Sequence, residues 1–273
     1  MQAMSRTTAH SLATDLQAPT KQRKPAPRRF AAALGVSALL ALSAVHVSAS
    51  AQHSPQADSA SKHMSPAKNQ SAQTSPALGR KLLAAARVGN IEQVRTALKQ
   101  GAPVNMQDEQ GNTALLLATA GNHIEVARSL LLDGADPNLK NAMDDSAYLL
   151  AGAQGRLEIL RMTLSYGADL KSTNRFGGTA LIPACERGHV ETVRALLAAG
   201  VAPDHVNRLG WTCLIEAIVL SDGGPRHQDI VSQLISAGAN LNLADKDGVT
   251  PLAHALARGQ SDTARLLQAA GAR

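Results

Sequence analysis

Aromatic side chains are nearly absent from this chain of 273 residues. The whole set consists of Phe30, Tyr148, Tyr166, Phe176 and Trp211. Clefts that bind single-stranded nucleic acid or sugars rely on aromatic faces for stacking, so the sequence disfavours both kinds of site. A core with so little aromatic bulk has to be built mainly from Ala and Leu, which predicts thin helices packed closely together.

Net positive charge is nearly absent outside the N-terminal segment, although the whole chain has a net charge of +6 and a pI near 9.6. Residues 1–51 hold six of the 27 basic side chains and one of the 21 acidic ones. The remainder is therefore almost neutral, with 21 basic against 20 acidic residues. A neutral remainder with few aromatics disfavours nucleic acid as a partner.

The N-terminal segment has the three parts of a secretory signal. A basic stretch at 21–30 precedes an uncharged, mostly apolar stretch at 31–47, and Ala49-Ser50-Ala51 follows as a cleavage site. We expect residues 1–51 to be a signal peptide that directs the chain to the periplasm, with no membrane insertion after cleavage. A retained anchor stays open as an alternative, because an apolar stretch of 17 residues is marginal for a hydrocarbon core of ~30 Å.

Residues 52–77 are rich in Ser, Ala, Gln and Pro. Such a composition offers too little apolar surface to offset the entropy of ordering the backbone, which predicts a disordered, flexible tether. The structured part of the chain is then expected at 78–273.

A period of 33 residues organises this structured part. Three markers share it, with one interval lengthened to 38 by an insertion in the fifth repeat. The markers are Gly-Ala or Gly-Val pairs beginning at Gly101, Gly134, Gly167, Gly200, Gly238 and Gly271, the Asx positions Asp108, Asn141, Asn174, Asn207 and Asp245, and the hydroxyl positions Thr113, Ser146, Thr179, Thr212 and Thr250. We expect each hydroxyl residue to be the N-cap of a short helix, followed by a turn and a second amphipathic helix. One such repeat cannot bury its apolar face alone, so neighbouring repeats must stack.

This pattern resembles the ankyrin repeat, most clearly in NRFGGTALIPACERGHVETVRALLAAGV (174–201) and DKDGVTPLAHALARGQSDTARLLQAAGA (245–272). The resemblance implies an all-α ankyrin-repeat solenoid with connecting β-hairpin loops, whose tips and first helices line a concave face. We place six repeats at about 75–107, 108–140, 141–173, 174–206, 207–244 and 245–273. The family's T-P-L-H histidine is absent, because Leu, Ile or Ala stands at that position in every repeat.

The residues that carry chemistry elsewhere have structural interpretations here. His123, His189 and His227 occupy equivalent turns of different repeats, and neighbouring repeats lie roughly 10 Å apart. These histidines therefore cannot share a metal ion that needs ligands near ~2 Å. Cys185 and Cys213 lie late in one first helix and early in the next, an offset that favours buried thiols, with a disulfide left open. No phosphate loop, nucleophile elbow or helix-face carboxylate pair is present, so the sequence predicts no enzyme, no cofactor and no metal.

The aromatics and one insertion point to a binding surface. Hairpin tips are normally short and polar, yet the tips of repeats four and five carry Arg and bulky apolar side chains, which are the residue types that anchor interfaces. The insertion in repeat five falls at 220–229, and insertions often mark the binding side of a repeat protein. The candidate partner-binding residues are Arg175, Phe176, Arg208, Leu209, Trp211, Arg226 and His227. A stacked Phe176–Trp211 pair that only covers the turns is the structural alternative.

These observations predict a monomeric, non-enzymatic scaffold of the bacterial envelope that binds another periplasmic protein through repeats four and five. The resemblance to exported ankyrin proteins further implies an accessory role for a periplasmic enzyme of oxidative-stress defence, such as a catalase. The alternative is a secreted effector or toxin-neutralising protein.

Overall fold

The computed structural model describes the backbone of residues 67–273 and the side chains from residue 75 onwards. The predicted signal peptide, and the predicted tether as far as residue 66, lie outside the described residues. The described part is built from helices joined by short turns and hairpin-like loops. In chain order the helices are α1 (Ala67–Arg87), α2 (Ile91–Lys99), α3 (Ala114–Ala120), α4 (Ile124–Leu132), α5 (Ala147–Ala153), α6 (Leu157–Ser165), α7 (Leu181–Glu186), α8 (Val190–Ala198), α9 (Cys213–Val219), α10 (Pro225–Ser236), α11 (Pro251–Ala257) and α12 (Ser261–Ala269).

The first helix differs from the sequence prediction. The tether was expected to reach residue 77, but α1 begins at Ala67, so residues 67–77 are helical. The reason lies at Arg80, which occupies the position where later repeats place Thr or Ser. Arginine has no side-chain acceptor that could cap a helix, so no N-cap begins the helix at Arg80, and α1 extends upstream across Pro76 to Ala67.

Hydroxyl N-caps begin the first helices of repeats two, three, five and six, as predicted. Thr113 Oγ1 accepts a hydrogen bond from the Leu116 N–H at 3.1 Å, and Thr212 Oγ1 accepts one from Ile215 N–H at 3.3 Å. Ser146 and Thr250 make the equivalent bonds. Each bond satisfies one of the backbone donors that a helix leaves free in its first turn.

Thr179 breaks this pattern, so the predicted N-cap is wrong in repeat four. Its hydroxyl is buried and has no hydrogen-bond partner among the described residues. In the other four repeats the carbonyl of the capping residue accepts from the N–H four positions later, but here that position is Pro183, which has no N–H. The Ile182 N–H donates to the Thr179 carbonyl instead, and this bond takes away the donor that the hydroxyl would need.

This difference predicts opposite results for one substitution at two equivalent sites. Thr212→Val should lower the free energy of unfolding by about 1 kcal/mol, because the substitution leaves a helix N-terminus uncapped. Thr179→Val should leave stability unchanged or raise it, because it replaces an unpartnered buried hydroxyl by a methyl group of the same shape. Urea unfolding of the two single variants measures both effects. A loss at Thr179 equal to the loss at Thr212 would contradict this account.

The loops between repeats turn on the Asx side chains that mark the period. Asn174 Oδ1 accepts hydrogen bonds from the N–H groups of Phe176 and Gly178, and its own N–H donates to the Gly178 carbonyl. Asp108, Asn141, Asn207 and Asp245 close their loops in the same way. Within the described residues, the only ladder pairing is an isolated bridge between Gln107 and Thr113. The predicted hairpins are therefore held by these Asx turns and form no regular strands.

Small residues allow the first helices to pack closely. Gly152 of α5 lies so near Ala180 that a Cβ on Gly152 would fall 2.7 Å from the Ala180 Cβ. Ala114, Ala147 and Ala184 are fully or almost fully buried in the same layer. The close packing predicted from the excess of Ala and Leu is therefore present in the structure.

The turn between the two helices of a repeat is braced by the repeat that follows. His123 Nε2 donates to the Arg87 carbonyl at the end of α1, and His227 Nε2 donates to the Glu186 carbonyl at the end of α7. In repeat six Gln260 does the same, donating to the carbonyls of Ile218 and Ser221. The predicted structural role of these turn histidines is confirmed at His123 and His227.

Candidate partner-binding surface

The tips of the hairpin loops carry a row of exposed apolar side chains. The second residue after each Asx position is Met143 in repeat three, Phe176 in repeat four and Leu209 in repeat five. Between 51% and 56% of each of these side chains is exposed. The Asx turn places them there, because its oxygen accepts the N–H of this same residue and fixes its backbone on the outside of the bend.

Basic side chains lie directly beside this row at the first position after the Asx residue. The Arg175 guanidinium lies over the Phe176 ring, 4.6 Å from its centroid, in a cation–π contact. Arg208 Nη1 donates to the Arg175 carbonyl at 2.6 Å, and Lys246 Nζ donates to the Arg208 carbonyl at 2.5 Å. The Arg208 N–H also donates to the Phe176 carbonyl. The structure therefore brings Arg175, Phe176 and Arg208 together, and Leu209 follows in the same row.

Trp211 lies behind the tip of repeat five and is half-buried. Its N–H donates to Asn207 Oδ1, and its carbonyl accepts from the Asn207 N–H, both at 3.0 Å. These two bonds hold Trp211 at the base of the tip that carries Leu209.

A buried carboxyl group supports this tip from below. Asn207 Nδ2 donates to Glu216 Oε1 at 2.7 Å, and only 5% of Glu216 is exposed. Burial and the nearby Glu186 carboxylate raise the pKa of Glu216 to about 7. Asn207 thus uses its oxygen to form the Asx turn and its amide to reach α9, so the carboxyl group of Glu216 is coupled to the geometry of the tip.

Repeat six forms an equivalent connection, but there the acidic side chain belongs to the loop and its partner belongs to the helix. There the Asx residue is Asp245, and His254 Nε2 contacts its carboxylate at 2.7 Å. The hydrogen bond from the Val249 N–H lowers the pKa of Asp245, and the contact with His254 lowers it further. A tip in this protein can thus be tied to its first helix by an amide and a carboxyl group or by a carboxylate and an imidazole.

Arg226 and His227 lie at the other end of α9 from the tip. Helix α9 has seven residues, so its two ends are separated by roughly 10 Å at 1.5 Å per residue. The inserted segment forms a short loop and the beginning of α10, and His227 uses its ring to brace Glu186. The structure therefore divides the predicted site into a tip group and a turn group that are not brought together.

A disulfide bond joins Cys185 of α7 to Cys213 of α9, with their Cα atoms 5.6 Å apart. The offset that was expected to disfavour this bond is the arrangement that permits it. Gly152 and Ala180 occupy the same two positions one repeat earlier, and they too are in close contact. Consecutive first helices are displaced along their axes, so a late residue of one lies against the first residue of the next. The disulfide therefore links repeats four and five, which carry the predicted site.

Sequence reasoning missed Met143 and Lys246 as part of the tip surface. Each falls at the same register position as a residue that was singled out, Met143 with Phe176 and Lys246 with Arg208. The Asx marker, extended to every repeat, would have found both.

Other kinds of site receive no support in the part of the chain that the structure describes. No group of three His, Cys, Asp or Glu side chains is placed to hold a metal ion among residues 67–273. Over the same range, none of the helices combines the length and the apolar character needed to cross a bilayer.

Burial and the nearby Arg187 lower the pKa of His189, the third turn histidine.

Comparisons with known proteins agree with this architecture. The family model for ankyrin repeats (three copies) matches residues 46–141 and 148–245. An ankyrin repeat domain from Acinetobacter baumannii AYE is 57% identical with a TM-score of 0.69, covering 70% of this chain and 98% of that one. The ankyrin repeat protein EF0377 is 41% identical with a TM-score of 0.68, covering 70% of this chain and 97% of that one.

A shorter match links the chain to the putative ankyrin repeat protein YahD of Escherichia coli K12. The two are 54% identical over 57 residues, which is 21% of this chain and 28% of YahD. Together with the stacked helix pairs, the Asx turns and the family match over most of the sequence, this shows that the chain belongs to the ankyrin repeat family.

Proposed function

We propose that this chain is an exported, non-enzymatic binding module of the bacterial envelope, which holds a partner protein on repeats four and five. Ankyrin repeats are generally protein–protein interaction modules without catalytic activity. The observation that carries the proposal is the pair of exposed side chains Phe176 and Leu209 on adjacent tips, flanked by Arg175 and Arg208. Aromatic side chains and arginines are enriched at protein interfaces, and a few such residues typically supply most of the binding energy.

The rigidity of this region supports the same proposal. The tip of repeat five is fixed by Asn207, and the disulfide joins the first helices of repeats four and five. A surface that is already ordered loses little conformational entropy when a partner binds, which favours affinity. Export through residues 1–51 would bring this surface to the periplasm, where a partner such as an enzyme of oxidative-stress defence would be within reach.

Recovery of partners from the periplasm tests this placement. The exported chain, tagged at its C terminus, should capture a partner that a Phe176→Ala/Trp211→Ala variant recovers at least about tenfold less well, because interface anchors typically contribute 2 kcal/mol or more. A Leu132→Ala/Tyr166→Ala variant is the control, since it removes two exposed large side chains that lie away from the tips, on α4 and at the end of α6.

Equal recovery by wild type and by the tip variant would show that the partner binds elsewhere. Fractionation of the same cells addresses the alternative function. Mature protein found in the culture medium, and not in the periplasm, would favour a secreted effector or toxin-neutralising protein over an envelope scaffold.

A further inference from the structure

Two parallel rows of side chains cross the tips of repeats two to six. The first row, which we call the apolar row after its three middle members, is formed by the second residue after each Asx position: Gln110, Met143, Phe176, Leu209 and Asp247. The charged row follows the first position and reads Glu109, Ala142, Arg175, Arg208, Lys246. The apolar members are thus confined to the three middle tips, and the basic members to the last three.

The two basic side chains at the end of the charged row have no acidic partner among the residues that the structure describes. Arg208 and Lys246 donate to backbone carbonyls of the preceding tip. Among the described residues, no carboxylate oxygen lies within 4.0 Å of either charged group. Arg175 is different, because Asp145 Oδ2 lies 3.7 Å from its Nη1. The positive charge on the tips of repeats five and six therefore remains available to a ligand.

From these two rows we infer the chemistry of the partner, an inference that rests on the proposed function and extends it. We propose that the tips bind an acidic polypeptide segment with regularly spaced apolar side chains. The apolar side chains contact Phe176 and Leu209, and the carboxylates pair with Arg208 and Lys246. Opposite charges select the partner and set its direction along the row, whereas the apolar contacts supply most of the affinity.

The spacing of the tips sets the spacing of the apolar residues in the ligand. Adjacent tips touch through the hydrogen bond from the Arg208 N–H to the Phe176 carbonyl. The first helices of consecutive repeats pack against each other, and packed helices lie about 8–10 Å apart, so equivalent tip positions recur about every 10 Å. A peptide in the polyproline II conformation rises about 3.1 Å per residue with about three residues per turn, so every third side chain lies on the same face, roughly 9 Å from the one before. One apolar side chain in every third residue therefore matches one tip after another.

Synthetic peptides test this inference on the full chain by fluorescence anisotropy. The probe is a labelled peptide of repeated Leu-Asp-Glu triplets, compared with peptides of repeated Leu-Lys-Lys and Ser-Asp-Glu triplets. We expect the first peptide to bind at least about tenfold more tightly than either of the others, because only it offers both the charge and the apolar contacts. Added salt should weaken its binding, since the charged groups on the tips are exposed to solvent.

Variants of the protein assign the binding to the two rows. Arg208→Gln/Lys246→Gln and Phe176→Ser/Leu209→Ser should each weaken binding of the Leu-Asp-Glu peptide by about tenfold. Arg128→Gln/Leu132→Ser is the matched control, because both residues are exposed on α4 and their replacement should leave the affinity unchanged. Circular dichroism melting of every variant shows whether the fold is retained, and all these surface changes should melt close to the wild type.

The inference is overturned if the three peptides bind equally, or if folded tip variants bind as well as the control. These outcomes are separable from failure of the proposed function. Capture of a periplasmic partner through Phe176 and Trp211 without any preference for the acidic peptide would refute only the acidic segment. A clear peptide preference with no partner captured through the tips would refute only the envelope scaffold.

Discussion

Reduction of the Cys185–Cys213 disulfide is expected to lower the free energy of unfolding by about 3 to 4 kcal/mol. The bond closes a loop with a sequence separation of 28 residues, and the loss of loop-closure entropy in the unfolded chain predicts a stabilisation of this size. Both cysteines are fully buried, so the reduced thiols can stay packed in the folded state. The effect is therefore expected mainly in the unfolded ensemble.

Urea unfolding of the full chain with and without a thiol reductant measures this effect. The Cys185→Ala/Cys213→Ala variant is the control, because its unfolding midpoint should not respond to the reductant and should lie near that of the reduced wild type. Alanine is the appropriate replacement, since serine would bury a hydroxyl group in an apolar layer. Identical midpoints for oxidised and reduced wild type would show that the cross-link contributes nothing to stability.

Glu216→Gln is expected to stabilise the protein near pH 8 by on the order of 3 kcal/mol and to have almost no effect near pH 4. The pKa of Glu216 is raised from 4.5 to about 7 by burial and by Glu186. The folded state therefore holds this proton more tightly than the unfolded state does. Below pH 4.5 the carboxyl group is protonated in both the folded and the unfolded state, so it does not lower the free energy of unfolding. The loss of stability caused by this buried carboxyl group grows as the pH rises to about 7 and reaches its full size above that value.

Glutamine stays neutral at every pH and can still accept the hydrogen bond from Asn207 Nδ2, so it removes the charge and keeps the contact. Unfolding of wild type and variant across this pH range isolates the carboxyl group from all others. Glu191→Gln is the control, because it makes the same substitution at a side chain that is well exposed on α8, and it should not stabilise the protein near pH 8. A Glu216→Gln protein no more stable than wild type near pH 8 would contradict the account.

The repeat architecture could be predicted from the sequence because its markers are local. The Asx residue closes a loop on N–H groups two and four positions later, and the hydroxyl residue caps a helix three positions later. Both interactions depend on short spacings that can be read directly from the sequence. The failure at Thr179 is local as well, since Pro183 was visible in the sequence and lacks the N–H that the other repeats use.

Interactions between repeats were harder to predict. The disulfide depends on how far consecutive first helices are displaced along their axes, and that displacement is a property of the stack that no single repeat reveals. The same limit applies to Arg226 and His227, which follow Trp211 within one repeat but lie beyond a whole helix from the tip. On the tips of repeats four and five, Arg175 and Arg208 share one position after the Asx residue and Phe176 and Leu209 share the next. Their proximity could be predicted because stacking aligns equivalent positions of adjacent repeats.

The hydrogen bonds that brace the turn between the two helices of a repeat all run in one direction along the stack. His123, His227 and Gln260 all donate toward the repeat that precedes them, so the donor always belongs to the C-terminal neighbour. Loss of repeat six would strip the carbonyls of Ile218 and Ser221 of their partner at the end of α9. Loss of repeat one would free the ring of His123 and would also remove the side chains of Asn105 and Gln107, which donate to the carbonyls of Gly134 and Lys140 in repeat two. Truncation at the C-terminal end therefore exposes carbonyl groups at the turn between the two helices of the repeat left behind, whereas truncation at the N-terminal end exposes carbonyl groups in its loops.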